Sequence, residues 1–246
     1  MKVAYATDTG RVRSNNQDYV GAFKNEMGVQ LAIVADGVGG EQAGDVASNM
    51  AVSHLGNQWQ QTQIQTLDEA KSWIQTNLET ENEKILQTSH RYRTLEGMAT
   101  TIVLAVIFPD QICIANLGDS RAYMHRNGQF YQVTEDHNLA QELVRAGSIK
   151  PEEAATNSGR HMLTRQLGVD DAVEADLFDF ALQAHDEVML TTDGLVKHLD
   201  DKQIADVLNQ ELSSTETITQ LIDQANQAGG TDNITVLLGY QENEER

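Results

Sequence analysis

The sequence predicts an α+β fold assembled on antiparallel sheet, and three observations carry that expectation. Short runs rich in Ile, Val and Leu recur along the chain (LAIVAD, TTIVLAVIF, ICIANLG, EVMLTTD, NITVLLG), each bounded by Gly, Asp or Pro as strands are. Between Gly97 and Val133, four extended runs are divided only by Pro109-Asp110, Gly118-Asp119-Ser120 and Asn127-Gly128. Parallel neighbours need a crossover of a dozen residues or more, so this spacing makes an antiparallel meander, and Asn-Gly is a strong short-hairpin signal. Helical periodicity is confined to separate, capped stretches.

In chain order, Lys2 to Asp8 and YVGAF flank the polar turn GRVRSNNQD and read as extended. LAIVADGVGG is a buried strand followed by a glycine-rich turn. EQAGDVASNMAVSHLGNQW then places Ala47, Met50, Ala51, His54 and Leu55 at helical spacing. After the Gln/Thr-rich QQTQIQ, Thr66 with Glu69 forms a capping box that opens a helix whose apolar stripe is Leu67, Ala70, Ile74, Leu78 and Ile85. The meander follows. From about residue 137 to 171 the pattern changes to two short helical segments, LAQELVRAG and PEEAAT, the second with Pro151 at its start, and a polar loop at Asn157 to Arg160. This stretch reads as a flap beside the sheet. VEADLFDFAL and EVMLTTDG return to strands, helices are expected over about 201–212 and 216–228, and DNITVLLGY closes the core. Ser213 with Glu216 caps the last helix and Gly229-Gly230 stops it. No internal repeat or linker divides the chain, so 1–246 reads as a single domain, with QENEER a solvated tail.

Composition excludes several classes of function. With 40% hydrophobic residues in 246, a sizeable core is available. The 37 acidic residues against 17 basic ones give a formal charge of −20, which argues against nucleic acid or anionic membrane as the main partner. The single cysteine, Cys113, sits in the strand-like ICIAN and reads as a small buried residue in a reducing, cytoplasmic setting. No apolar stretch reaches the ~18 residues needed to span a bilayer, and the N-terminus lacks a signal-like apolar run.

Chemistry gathers at the ends of the apolar runs. Asp36, Asp119, Asp193 and Asp232 stand where strands stop or start, with Asp18 in RSNNQD near the N-terminus. Taken singly, each is explained by the preference of turns for Asp and Gly. Taken together, strand ends can bring distant carboxylates to one rim, where hard divalent cations with oxygen preference relieve their repulsion. At Asp36-Gly37 both the carboxylate and the peptide carbonyl can face one cation. The glycines there match neither G-x-G-x-x-G nor G-x-x-x-x-G-K-[ST], and Asp36 would repel a bare phosphate, so a nucleotide loop is disfavoured. The seven scattered histidines give no zinc motif. Magnesium or manganese remains, and a water shared by two such ions becomes a hydroxide nucleophile suited to phosphoesters. Arg13 offers a planar guanidinium for the phosphoryl oxygens, though a surface cation in so acidic a chain explains it equally.

The ordered set TDTGRVRSNNQD, VADGVGGEQAGDVAS, MATT, NLGDSRAY, LTRQLG, LTTDG and GGTDNITV resembles the metal-dependent serine/threonine protein phosphatases of the PP2C type in their compact bacterial form, from about Val3 to Tyr240. The resemblance implies a four-layer α-β-β-α sandwich, two antiparallel sheets flanked by helices, with the metal site at one end. It implies that Asp36 bridges two core Mg²⁺ or Mn²⁺ ions, that the Gly37 carbonyl ligates one, and that Asp193 and Asp232 hold the other. Asp119, sharing Asp193, would form a third site; Asp18 would orient the attacking water, and Arg13 would grip the substrate phosphate. No phosphoenzyme is expected, which leaves Ser120 and Thr192 as hydrogen-bonding neighbours. Substrates would be phosphoserine and phosphothreonine proteins, including a bacterial Ser/Thr kinase, and relatives are mostly monomeric.

The chain departs from the family pattern at three places. Val38 stands where eukaryotic members often carry a histidine viewed as a leaving-group acid, leaving His137 and His161 of the flap as candidates for that role. Gln17 replaces a metal-binding Glu, and Asn157-Ser158 replaces a frequent His-Pro in the flap. Two other classes of function stay in view: a phosphoprotein-binding module that keeps the fold without turnover, and a metal-dependent nuclease. The intact aspartates weigh against the first, and the charge against the second.

Overall fold

The computed structural model describes residues 1–40, 43–170 and 172–240, and the apolar runs become strands throughout it. In chain order these elements are β1 (Lys2–Asp8), β2 (Asp18–Lys24), β3 (Gln30–Val38), α1 (Ala43–Gln60), α2 (Leu67–Arg91), β4 (Ala99–Thr100), β5 (Ile102–Ile107) and β6 (Gln111–Leu117). They continue with β7 (Arg121–Arg126), β8 (Gln129–Gln132), α3 (Leu139–Arg145), α4 (Pro151–Ala154), β9 (Asp176–Ala181), β10 (Glu187–Thr191), α5 (Asp193–Val196), α6 (Asp201–Leu208), α7 (Ser214–Gln227) and β11 (Ile234–Tyr240). One sheet runs β1-β11-β10-β7-β8; the other runs β2-β3-β5-β6-β9, with β4 paired to the end of β3. Every pairing is antiparallel.

The period-2 alternation of strands explains why these runs are apolar without interruption. On β3, Leu31, Ile33 and Ala35 pack toward α1 and α2, while Ala32 and Val34 face the other sheet. On β5, Leu104 and Val106 take the helix side, and Val103, Ala105 and Ile107 the inter-sheet side. On β11, Val236 and Leu238 meet α6 and α7, whereas Leu237 points between the sheets. Both faces of each central strand are therefore buried, and the layers stack as helix, sheet, sheet, helix. The four-layer expectation holds.

The meander is divided in a way the spacing did not show. β5 and β6 pair in one sheet, but the chain turns at Gly118 (φ +123°) and β7 joins the other sheet beside β10. Leu190 opposite Ala122 and Met189 opposite Tyr123 fix that long-range register. The expected four-run meander is thus two hairpins in two sheets, with Asp119 at the crossing.

The helices form where their caps stand. Thr66 and Ser213 accept from the backbone N–H groups of Glu69 and Glu216, and both capping boxes are complete. The stripe of α2 is buried at Ala70, Ile74, Leu78 and Ile85, and Trp59 of α1 meets Trp73 of α2 edge-on at 5.0 Å. The helix expected to reach residue 212 stops at Leu208, and a one-turn helix, α5, begins at Asp193, at the end of the stretch EVMLTTDG expected to be extended. Cys113 is fully buried in β6, and burial pushes its thiol up to about 11. The stretch expected as a flap carries α3, α4 and a 3-10 turn at Ser158–His161. It is tied back by the Asn138–Leu163 and Thr100–Leu167 bridges and by Asn82 of α2, which accepts from Gly168 N at 2.7 Å. The expected tail QENEER lies outside the described residues. No helix among the described residues is long and apolar enough to cross a membrane.

Candidate active site

Strand parity decides where the first two aspartates go. Asp36 follows Ala32 and Val34 on the inter-sheet side of β3, and Asp18 is its cross-strand partner on β2. Directly opposed residues share a face, so the two carboxylates enter the space between the sheets together. Across that space, Thr192 continues the inter-sheet parity of β10 and Thr235 that of β11. Their hydroxyls donate to Asp18 Oδ2 at 2.8 and 2.7 Å. Asp18 is thereby a brace between sheets, with Oδ1 buried and accepting no hydrogen bond. Thr192 plays the hydrogen-bonding part expected of it. Ser120 does likewise, pairing with the Thr101 hydroxyl at 2.7 Å.

The remaining aspartates arrive from three connections. Asp119 sits in the crossing from β6 to β7, Asp193 opens α5 directly after β10, and Asp232 precedes β11. Asp36, Asp119, Asp193, Asp232, Gly37 and Arg13 all line one open cleft of ≈ 260 Å³. Asp18 lies behind Asp36. The sequence-predicted set is therefore gathered in one place.

Backbone contacts fix Gly37. Its N–H donates to Gln17 O at 3.0 Å, and α1 presses so closely that a Cβ on Gly44 would stand 2.7 Å from the Gly37 carbonyl carbon and oxygen. Gln17 does not carry a charge into the cleft; its amide donates to Gly40 O at 3.1 Å and secures the glycine turn. Asn233 ties the N-terminal turn down, accepting from Gln17 N at 2.9 Å and donating to Thr9 O and Asn15 O, both at 2.9 Å.

The electrostatics are those of an overcrowded anion site. Burial, reinforced by the charges of Asp18, Asp193, Asp119 and Asp232, drives the Asp36 carboxyl well above the usual range. Burial also pushes Asp18 up to about 7 against the opposing hydrogen bonds of Thr235 and Thr192, and pushes Asp119 up to about 7 with help from Asp193 and Asp136. Asp193 is raised by burial despite Lys197. Asp232 is lowered: burial opposes ionisation there, but the hydrogen bond and charge of Lys197, with Arg13, outweigh it. Two cations touch the cluster. Lys197 Nζ lies 2.6 Å from Asp193 Oδ2 and 2.7 Å from Asp232 Oδ2, and Arg13 Nε lies 2.9 Å from Asp232 Oδ1.

This arrangement fits a hard divalent cation. Among the described residues the anionic donors are carboxylate oxygens, two of them (Asp18 Oδ1 and Asp193 Oδ1) are buried without a donor, and five carboxylates meet two side-chain cations. Mg²⁺ and Mn²⁺ retain water and need only one or two carboxylates each, so a closed protein cage is not required. Among the described residues no three acidic, histidine or cysteine groups converge into such a cage.

Lys197 was missed in the sequence. Its signal was the i, i+4 spacing from Asp193, which becomes meaningful only once α5 is known to form. Of the two histidines considered as proton donors, His137 is fully buried, its Nδ1 accepting from Gly118 N at 3.1 Å and its Nε2 3.1 Å from Asp176 Oδ2. It fastens the crossing loop and does not face the cleft. His161 does line the cleft.

Comparison with known proteins agrees with this fold. Residues 9–238 match the family described as protein phosphatase 2C. The serine/threonine phosphatase stp of Listeria monocytogenes serotype 4b is 40% identical over 239 residues, covering 97% of this chain and 95% of that protein. Protein phosphatase PhpP of Streptococcus pneumoniae serotype 2 is 38% identical over 238 residues, covering 97% and 96%. Among solved structures, the S. agalactiae serine/threonine phosphatase superposes with a TM-score of 0.94 at 41% identity, covering 98% of this chain and 99% of that one. Phosphatase Stp1 of Staphylococcus aureus gives 0.93 at 34% identity, covering 98% and 95%. With a family match over residues 9–238, relatives well above 30% identity and the same pair of sheets, this chain belongs to the protein phosphatase 2C family.

Proposed function

We propose that this chain is a metal-dependent protein phosphatase that hydrolyses phosphoserine and phosphothreonine in proteins, including substrates of a bacterial Ser/Thr kinase, and that it acts as a monomer in the cytoplasm. The observation that carries the reading is the convergence of Asp36, Asp119, Asp193 and Asp232 on one cleft, with Arg13 on its wall. Asp36, the Gly37 carbonyl, Asp193 and Asp232 would hold two Mn²⁺ or Mg²⁺ ions, and Asp119 with Asp193 a third. Bound there, such ions supply a water acidified into a nucleophile at neutral pH and neutralise charge on the phosphoryl oxygens.

The chain's own residues do the rest. Asp18, held by two hydroxyls and carrying one oxygen without a donor, would accept a hydrogen bond from a water beside Asp36. Arg13 is half exposed and its Nε is engaged by Asp232, which orients the guanidinium edge for a phosphate dianion. No side-chain nucleophile is assigned, because Ser120 and Thr192 are committed to hydrogen bonds and Cys113 is buried with a raised thiol pKa. His161 lines the cleft where a leaving serine or threonine alkoxide could be protonated.

Phosphate release from a phosphothreonine peptide, with and without Mn²⁺, tests the reading. Turnover should require the metal, and Asp193→Ala should lower it by at least about a hundredfold, the usual scale for losing an electrostatic stabiliser. Peptide binding without turnover in Mn²⁺, or full activity in Asp193→Ala, refutes it.

A further inference from the structure

We propose that Lys197 is a tethered counter-ion of the carboxylate cleft: its ammonium competes with divalent cations for Asp193 and Asp232, and metal binding displaces it. The inference rests on the reading of the cleft as a metal site. Its basis is geometric. Nζ contacts Asp193 Oδ2 at 2.6 Å and Asp232 Oδ2 at 2.7 Å at the same time, joining the first residue of α5 to the loop before β11.

The placement is a consequence of the local fold. Lys197 is the C-cap of α5, and its N–H donates to Asp193 O at 2.8 Å, so the helical turn that presents Asp193 to the cleft swings Lys197 back over it. The same short helix thus supplies a ligand and that ligand's competitor. Arg13 does not take this position, since it engages Asp232 through Oδ1 and leaves Oδ2 to the lysine.

Two features distinguish this contact from an ordinary surface ion pair. Both carboxylates are only 17% exposed and line the cleft, so their charge is poorly screened. Lys197 keeps 30% of its side chain exposed on a flexible four-carbon stem, which gives the ammonium a route to water without disturbing the fold. The lysine therefore stabilises the metal-free chain and weakens net affinity for the ion that replaces it.

Mn²⁺ binding to the intact protein, followed by the paramagnetic signal of free Mn²⁺, tests this with Lys197→Met and Lys197→Arg beside wild type. Melting in EDTA and in saturating Mn²⁺ is the second readout. Lys197→Met should bind Mn²⁺ about tenfold more tightly, an effect between those of exposed and buried ion pairs. It should melt at a lower temperature than wild type in EDTA and alongside it in Mn²⁺, while Lys197→Arg stays near wild type in both. Equal or weaker Mn²⁺ affinity in Lys197→Met overturns the proposal. If that variant folds only with Mn²⁺ present, its affinity is read by chelator competition; failure to fold even then also overturns it. Wild-type protein that binds no Mn²⁺, or Asp193→Ala that binds it normally, sinks the metal-site reading itself, a separate outcome.

Discussion

Gly44→Ala sets two physical effects against each other at the edge of the cleft. Gly44 lies in the first turn of α1, where alanine is intrinsically favoured over glycine by about 1 kcal/mol. Against this, the added Cβ would meet the Gly37 carbonyl carbon and oxygen at 2.7 Å and Val38 N at 3.0 Å. These are backbone atoms of a strand end hydrogen-bonded to Gln17, so they cannot rotate away as a side chain would. Overpacking of this kind costs roughly 1–3 kcal/mol, and here α1 or the Gly37 peptide must shift. The net expectation is a loss of up to about 2 kcal/mol, which for a chain of this size lowers the melting temperature by at most roughly 8 °C. Activity should fall further than stability, because the peptide that yields is the one proposed to ligate a metal. The assay is thermal melting paired with Mn²⁺ titration of phosphopeptide turnover. A variant that melts higher than wild type and keeps its Mn²⁺ dependence unchanged would refute both the close packing and the role of the Gly37 carbonyl.

Two further outcomes follow from charges at defined places. Arg13→Lys replaces a planar fork with a point charge, and kcat/KM for a phosphothreonine peptide should drop by roughly 10- to 100-fold, the scale of one charged hydrogen bond, with circular dichroism unchanged; parity with wild type would return Arg13 to the surface. Asp186 is 1% exposed and is gripped by Arg126 at 2.6 and 2.8 Å and by Gln183 N at 2.7 Å. Burial pushes its carboxyl up, but these partners hold it below 3.8. Because the folded pKa is the lower one, the contribution is fully present above the unfolded value and disappears as pH falls through the folded value. Arg126→Met should therefore destabilise at pH 7, by roughly 1.5–3 kcal/mol as for hydrogen bonds to a charged group, and progressively less in acid. Urea melts at pH 7 and pH 3 that show the same loss would exclude the linkage.

Much of the site was legible because its carboxylates punctuate strands. LAIVAD and NITVLLG announce buried strands, and the polar residue at the boundary of each lies at a sheet rim wherever the strand pairs. The capping boxes at Thr66 and Ser213 were equally readable, since they involve residues three apart. The split of the meander was not. TTIVLAVIF and EVMLTTD look alike because each is covered on both faces, and periodicity reports burial without saying in which sheet it occurs. What sends β7 to the other sheet is its pairing with β10, a partner some sixty residues on. Lys197 was missed and His137 misjudged for a related reason. A lysine four residues past Asp193 and a histidine after a turn carry no local sign of facing inward; α5 brings the one to the carboxylates, and the Gly118 turn buries the other.

The cleft's geometry is set by the packing of the two sheets, and Asp18 shows how. It pairs in register with Asp36 on one sheet and receives hydroxyl hydrogen bonds from Thr192 and Thr235 of the other. Thr192 in turn accepts from Thr235 N at 3.1 Å, so the brace includes main chain of β11 as well as side chains. Below it, Val34, Val103, Leu190 and Leu237 are buried together between the sheets. A slip of one sheet relative to the other would cost those contacts before it altered the spacing of the carboxylates. The mutual repulsion of Asp36, Asp18 and Asp193 is thus held against an apolar inter-sheet core and is concentrated at the rim. That division of labour explains why the carboxylates sit at strand ends: there the apolar layer stops and solvent begins.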